Sequence, residues 1–202
     1  ERIGRLDREL QDLLLTASVE GEIFTVQVLA HVQERAERIL LQQLSRDLEK
    51  RHRLVHELGE VKVGDQRFVR FRFVHALIQQ YLYNTLGSAE QAAIHQEIAE
   101  TLEKMYREEI VAIAVPLARH FRKAGIREKA VEYLLIAGDK ARSMYANQEA
   151  VELYHQALAS LKEIGAIEQT TRTLMKLYLV YHSSFDFQRA QHTLEEYNIL
   201  WQ

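Results

Sequence analysis

The side chains able to do chemistry are nine histidines, scattered carboxylates and two groups of cations; cysteine is absent. His52 and His56 stand four apart, a spacing at which two imidazoles on one helix face hold a metal. The pattern around them changes from helix to strand, however, and no acidic third ligand stands at a clear offset. Both read as solvated side chains. Glu108-Glu109 and Glu195-Glu196 are adjacent pairs, which diverge by about 100° on a helix and cannot share one proton-transfer site. His95 falls between core positions of a helix and is expected to be partly exposed. His120, in Ala118-Arg-His-Phe121, reads as a packing or hydrogen-bonding residue. No Gly-x-x-x-x-Gly-Lys-Ser/Thr loop, Gly-x-Gly-x-x-Gly, Gly-x-Ser-x-Gly or His-Glu-x-x-His occurs. The expectation is a non-enzymatic chain with no catalytic residues, no metal and no cofactor of its own.

His75 stands out by its position. In residues 67–83 the pattern first alternates, Phe71 and Phe73 to one side and Arg70 and Arg72 to the other, as in a half-buried strand. From Val74-His75 onward Leu77, Ile78, Tyr81 and Leu82 recur at helical spacing. A strand thus runs directly into a helix with an imidazole at the junction. Read from the residues alone, His75 caps or packs the start of that helix.

The elements that position this junction follow from periodicity. Leu6, Leu10, Leu13 and Leu14 form an amphipathic stripe ending near Gly21. Phe24-Thr25 leads a short second helix through Val28, Leu29 and Val32, and Ile39, Leu40, Leu44 and Leu48 mark a third. Residues 54–63 are β-branched and partly alternating, Gly64-Asp65-Gln66 is a turn signal, and 67–73 is the return strand. Helix, helix, helix, hairpin is the layout of a winged helix with the hairpin as its wing. A helix over about 75–86 follows. Ser88 with Gln91 then reads as a capping box opening a helix through Ile94, Ile98, Leu102 and Met105.

From about residue 110 the sequence repeats itself. Ala130, Leu134 and Ala137 match Ala150, Tyr154 and Ala157, and a looser copy holds Ala190, Leu194 and Tyr197. Small residues let neighbouring helices approach and a large one fills the gap, the grammar of a tetratricopeptide helix. Ala118 and Phe121 precede Ala130, and Gly138 precedes Ala150. Spacings of 20 and then 40 depart from the regular 34 of that repeat. Helices are expected near 111–124, 127–144, 147–163, 168–184 and 187–201. The fold class is thus mainly α: a winged-helix module over 1–87, a linking helix over 88–110, and an α-α solenoid of degenerate repeats over 111–202. Because the helical pattern still runs at Trp201-Gln202, more repeats are expected beyond.

A winged helix also raises DNA binding. The third helix carries Arg46, Lys50, Arg51 and Arg53, and Lys62, Arg67, Arg70 and Arg72 lie on the wing. Residues 1–87 nevertheless hold 13 Lys and Arg against 13 Asp and Glu, a net of zero. The basic footprint of a nucleic-acid binder is missing.

The runs from Phe71 to Tyr83, Ala92 to Glu103, Leu117 to Gly125, Glu128 to Leu134 and Tyr145 to Tyr154 resemble large bacterial signalling proteins, the signal-transduction ATPases with numerous domains (the STAND class). That resemblance implies an AAA-type nucleotide-binding core, a winged helix and then tetratricopeptide repeats, with a cyclase, kinase or transcription-factor effector in the parent chain. It implies that the winged helix folds back on the core at rest, and that a histidine heading its last helix reaches the β-phosphate of ADP. His75 is the matching position. Relatives that define that motif carry Met-His-Asp, where this chain has Val74-His75-Ala76. The implied partners are an upstream nucleotide-binding domain using ATP and ADP, and a protein or small-molecule signal on the repeats.

Of the 202 residues, 47% are hydrophobic and 27% charged, with a net charge of −3. That balance suits a globular chain with one large or two small cores and gives no general drive toward nucleic acid or membrane. No apolar run approaches a membrane span, and no signal peptide is visible. A cytoplasmic location is the expectation.

Overall fold

The computed structural model describes residues 6–64 and 66–201, the last by its backbone alone. It is mainly helical with one small antiparallel sheet, and it divides into two compact units, residues 1–109 and 110–202. Among the described residues no helix is long and apolar enough to cross a membrane.

The first unit opens with α1 (Arg8–Glu20), whose N-cap Asp7 accepts the Leu10 amide at 2.9 Å. Leu6, Leu10, Leu13 and Leu14 are all buried. The stretch expected to lead the second helix first forms a strand, β1 (Ile23–Thr25), before α2 (Val26–Val32). Three residues suffice because Phe24 is fully buried and pairs with Phe71 across the sheet. The third helix, α3 (Glu37–Gln42), widens into a π-helical stretch over Gln43–Arg51. Steps of four overshoot a 3.6-residue turn by roughly 40° each; the wider i→i+5 turn reduces that drift. Leu40, Leu44 and Leu48 thereby all reach the core, whereas Ile39, expected beside them, is 51% exposed.

Strands β2 (Val55–Val63) and β3 (Gln66–Phe73) form an antiparallel hairpin with a bulge at Leu58-Gly59. The expected turn over 64–66 lies where β2 ends and β3 begins, its Asp65 outside the described residues. Sheet order is β1-β3-β2, so β3 is central. Next come α4 (Ala76–Thr85) and α5 (Ser88–Met105). Read as a linking helix, α5 lies within the first unit and packs on α1 and α2. The expected capping box is absent. The N-cap is Gly87, without a side-chain bond, and Gln91 instead donates to the Tyr83 and Leu86 carbonyls at 2.8 and 3.2 Å. Ile98 and Leu102 are buried, while Ile94 and Met105 are half-buried.

A 3₁₀ turn (Ile110–Ile113) opens the second unit, followed by α6 (Ala114–Lys123), α7 (Arg127–Ser143), α8 (Asn147–Ile164), α9 (Ile167–Ser183) and α10 (Phe187–Trp201). From α7 on, the helices start at 127, 147, 167 and 187, a strict step of 20. Every connection closes in one way. The amides of Ile126, Ala146, Ala166 and Asp186 donate to the carbonyls of Phe121, Ala141, Leu161 and Tyr181. Just before them Gly125, Tyr145, Gly165 and Phe185 adopt φ of 79°, 59°, 74° and 60°. This is the left-handed helix stop. The 40-residue gap between the second and third sequence copies is filled by Thr170, Leu174 and Leu177, all buried. The copy is hidden because threonine stands where the others have alanine.

Each helix packs chiefly on its neighbours in sequence. Ala118, Phe121, Ala130, Leu134, Ala137, Gly138, Ala150, Tyr154 and Ala157 are all buried. A Cβ built on Gly138 would lie 2.7 Å from Tyr154 Cε1, so the Tyr154 ring occupies the space that Gly138 leaves open. Changing Gly138→Ala is expected to lower stability by about 1–3 kcal/mol. Relieving the left-handed backbone by Tyr145→Gly is expected to be neutral or to stabilise by up to about 1 kcal/mol. Urea denaturation of both variants measures the pair.

Candidate functional site

The strand-to-helix junction is built from the core outward. Phe24 lies against Phe71 (ring centroids 6.2 Å apart, near-parallel) and Phe73 (5.2 Å, tilted). The Phe73 amide donates to the Glu22 carbonyl and the Val74 amide to the Leu54 carbonyl, both at 3.0 Å. Pinned from both sides, β3 delivers His75 to the N-cap of α4 in extended conformation, φ −135° and ψ 132°. Its side chain makes no cap bond and is exposed. The helix is held from behind: Leu82 is buried, and Gln79 Nε2 donates to the Ser18 carbonyl of α1 at 2.6 Å.

Only part of the expected apolar stripe of α4 is interior. Ile78 is half-buried, but Leu77 is 75% and Tyr81 60% exposed, and Val74 beside His75 is exposed too. The α-helical spacing was real; the inward face is narrower than four apolar positions because α1 covers just one flank. His75 therefore heads an exposed face of Val74, Leu77 and Tyr81.

His95, His120 and His56 each have a neighbouring polar side chain, and His52 is half-buried. His95, expected to be partly exposed, is buried: its Nε2 lies 3.1 Å from the Tyr83 hydroxyl, tying α5 to α4. His120 is buried with Nε2 3.0 Å from Arg119 Nη2. His56 Nδ1 pairs with Glu49 Oε1 at 3.0 Å, and no group able to hold a metal occurs among the described residues. Glu108, Glu109 and Glu195 are exposed, while Glu196 is half-buried beside Lys162. Arg46, Lys50, Arg51, Arg53, Lys62, Arg67 and Arg72 are exposed and Arg70 half-buried; Arg67 faces Glu60 at 3.7 Å.

Sequence reasoning passed over a polar cluster, a ring stack and a groove. Tyr154 Oη donates to Asp139 Oδ1 at 2.7 Å, and Lys176 holds the other carboxylate oxygen, so one acid links three consecutive helices. Burial, reinforced by that acid, pushes the Tyr154 phenol well above its usual range. In the first unit Tyr106 stacks on Phe68 at 4.8 Å, and burial beside Glu20 raises its phenol. The second unit also holds an open groove of about 330 Å³ between α8 and α10 over α9. The pairing of helices two apart that creates it leaves no local sequence signal.

Comparison with protein-family models, with curated proteins and with solved structures finds no match.

Raised phenol values fix the sign of an alkaline effect. Above pH ~10 the unfolded tyrosines release protons that the folded ones keep, so stability falls as pH rises. Tyr154→Phe is expected to cost about 1 kcal/mol at neutral pH and to flatten that alkaline loss, as measured by urea unfolding from pH 8 to 11.

Proposed function

We propose that the first unit holds a winged-helix module, with the β2–β3 hairpin as its wing, and that the second is a tetratricopeptide-like solenoid whose two-helix period is lengthened to 40 residues. In this reading the chain is the regulatory and sensor portion of a STAND-class signalling ATPase of the cytoplasm. The module meets an upstream nucleotide-binding core that uses ATP and ADP. The repeats take up a protein or small-molecule signal.

The observation that carries this reading is the head of α4. An exposed imidazole sits at the N-cap of a ten-residue helix without using its side chain to cap it. Beside it the helix exposes Val74, Leu77 and Tyr81, apolar area that a partner domain would cover. Histidine and helix N-terminus together suit an anion such as the β-phosphate of a nucleotide brought by that domain. The solenoid supports the second half of the reading: helices packed on sequence neighbours leave long open surfaces for ligands.

In a polypeptide joining this chain to its nucleotide-binding core, His75→Ala is expected to weaken ADP binding about tenfold, the worth of one charge-assisted hydrogen bond. Isothermal titration reads the change, and unchanged ADP affinity would remove His75 from the site.

Duplex DNA is not the expected partner. The cations of the π-helical stretch are interleaved with Asp47 and Glu49, and the first 87 residues carry no net charge. A gel-shift titration of residues 1–110 at low salt is expected to show no complex. A complex that fades steeply with added salt would instead favour a DNA-binding regulator.

A further inference from the structure

We propose that the groove between α8 and α10 binds a small organic carboxylate with an apolar body. This deepens the reading of the repeats as the receiver of a signal and rests on it.

The floor is apolar. Leu158 of α8 and Leu174 and Leu177 of α9 line it, with the ring of Tyr181 at one end. Its rim holds two cations against one carboxylate: Lys162 stands on α8 and Arg189 on α10, both with more than half of the side chain exposed, and Glu196 stands on α10. Glu196 is the one carboxylate in the lining, and it is already faced by Lys162 at 3.7 Å and His192 at 3.8 Å. Arg189 has its guanidinium 5.8 Å from the Tyr181 ring centroid and its Nε 3.5 Å from Asp186 Oδ2. The Tyr181 hydroxyl lies 3.0 Å from His155 Nε2, which holds the ring at the groove wall.

This arrangement selects by chemistry. An apolar body gains by displacing water from the leucine floor. A carboxylate gains from Lys162 and Arg189, and Arg can take both oxygens at once. An ammonium head meets the same two cations, and Glu196, the one acid of the lining, is already faced by Lys162 and His192, so the ammonium is disfavoured. A volume of about 330 Å³ lies at the small end of ligand pockets, room for one compact molecule.

Three probes sharing one body separate the contributions: 3-phenylpropionate, 3-phenylpropanol and 3-phenylpropylamine, each titrated into the ¹⁵N-labelled full chain and followed by amide chemical shifts. The carboxylate is expected to saturate shifts in α8–α10 and to bind about tenfold tighter than the alcohol; the amine should bind weakest. Arg189→Gln and Lys162→Gln, at exposed positions that leave the fold intact by circular dichroism, should bring the carboxylate down to the affinity of the alcohol. Equal binding by all three head groups, unchanged carboxylate affinity in both variants, or no saturable shift in α8–α10 with any probe would overturn the proposal. Each of those results concerns the groove alone. Failure of the wider reading shows separately, in the ADP affinity of the chain joined to its nucleotide-binding core.

Discussion

The burial of Phe24, Phe71 and Phe73 is the constraint on which the first unit turns. A three-residue strand has little stability of its own; β1 exists because Phe24 must reach the two rings of β3. Alternation then sends Arg70 and Arg72 to the other face, and the carbonyls of Glu22 and Leu54 hold the last residues of the strand. The direction of α4, the exposure of His75 and the outward face of Leu77 and Tyr81 all follow from that grip. A side chain presented by a strand end and a helix start is held more firmly than one on a loop.

Turn chemistry governs the second unit in the same way. Four left-handed stops, 20 residues apart, set the helix starts, and helix starts set which residues face one another. Two stops use glycine; the other two place Tyr145 and Phe185 in a conformation that non-glycine residues avoid. At the helix contacts, small residues meet large ones, as where Gly138 receives the Tyr154 ring. Asp139 then joins Tyr154 of the next helix to Lys176 of the one after. Local order thereby passes from pair to pair, as expected of a stack in which each helix touches its neighbours.

Helices over 114–201 were legible because their apolar periods are long and two of their stops carry glycine. The missing copy was not: Thr170 breaks the alanine pattern while its hydroxyl bonds back to the Ala166 carbonyl and keeps the helix. β1 was illegible because three residues carry no period. The π-helical widening escaped notice too, since Leu40, Leu44 and Leu48 suit either helix type. Ser88 and Gln91 had the right spacing for a capping box, but Gln91 finds better acceptors in the carbonyls at the end of α4. His75 could be placed at the helix start from alternation giving way to helical spacing. Its exposure could not, because exposure depends on how much of α4 α1 covers. The groove depends on α8 and α10, which lie two helices apart, and no local pattern announces it.

The central claim is that the face headed by His75 meets a nucleotide-binding core in the resting state. Photo-crosslinking tests it most directly: a benzophenone side chain at position 77, in the chain joined to that core, irradiated with ADP and with a non-hydrolysable ATP analogue. The account predicts an intramolecular adduct between position 77 and the core with ADP, and its loss with the ATP analogue. An absence of adduct in both states, or the same adduct in both, would contradict it.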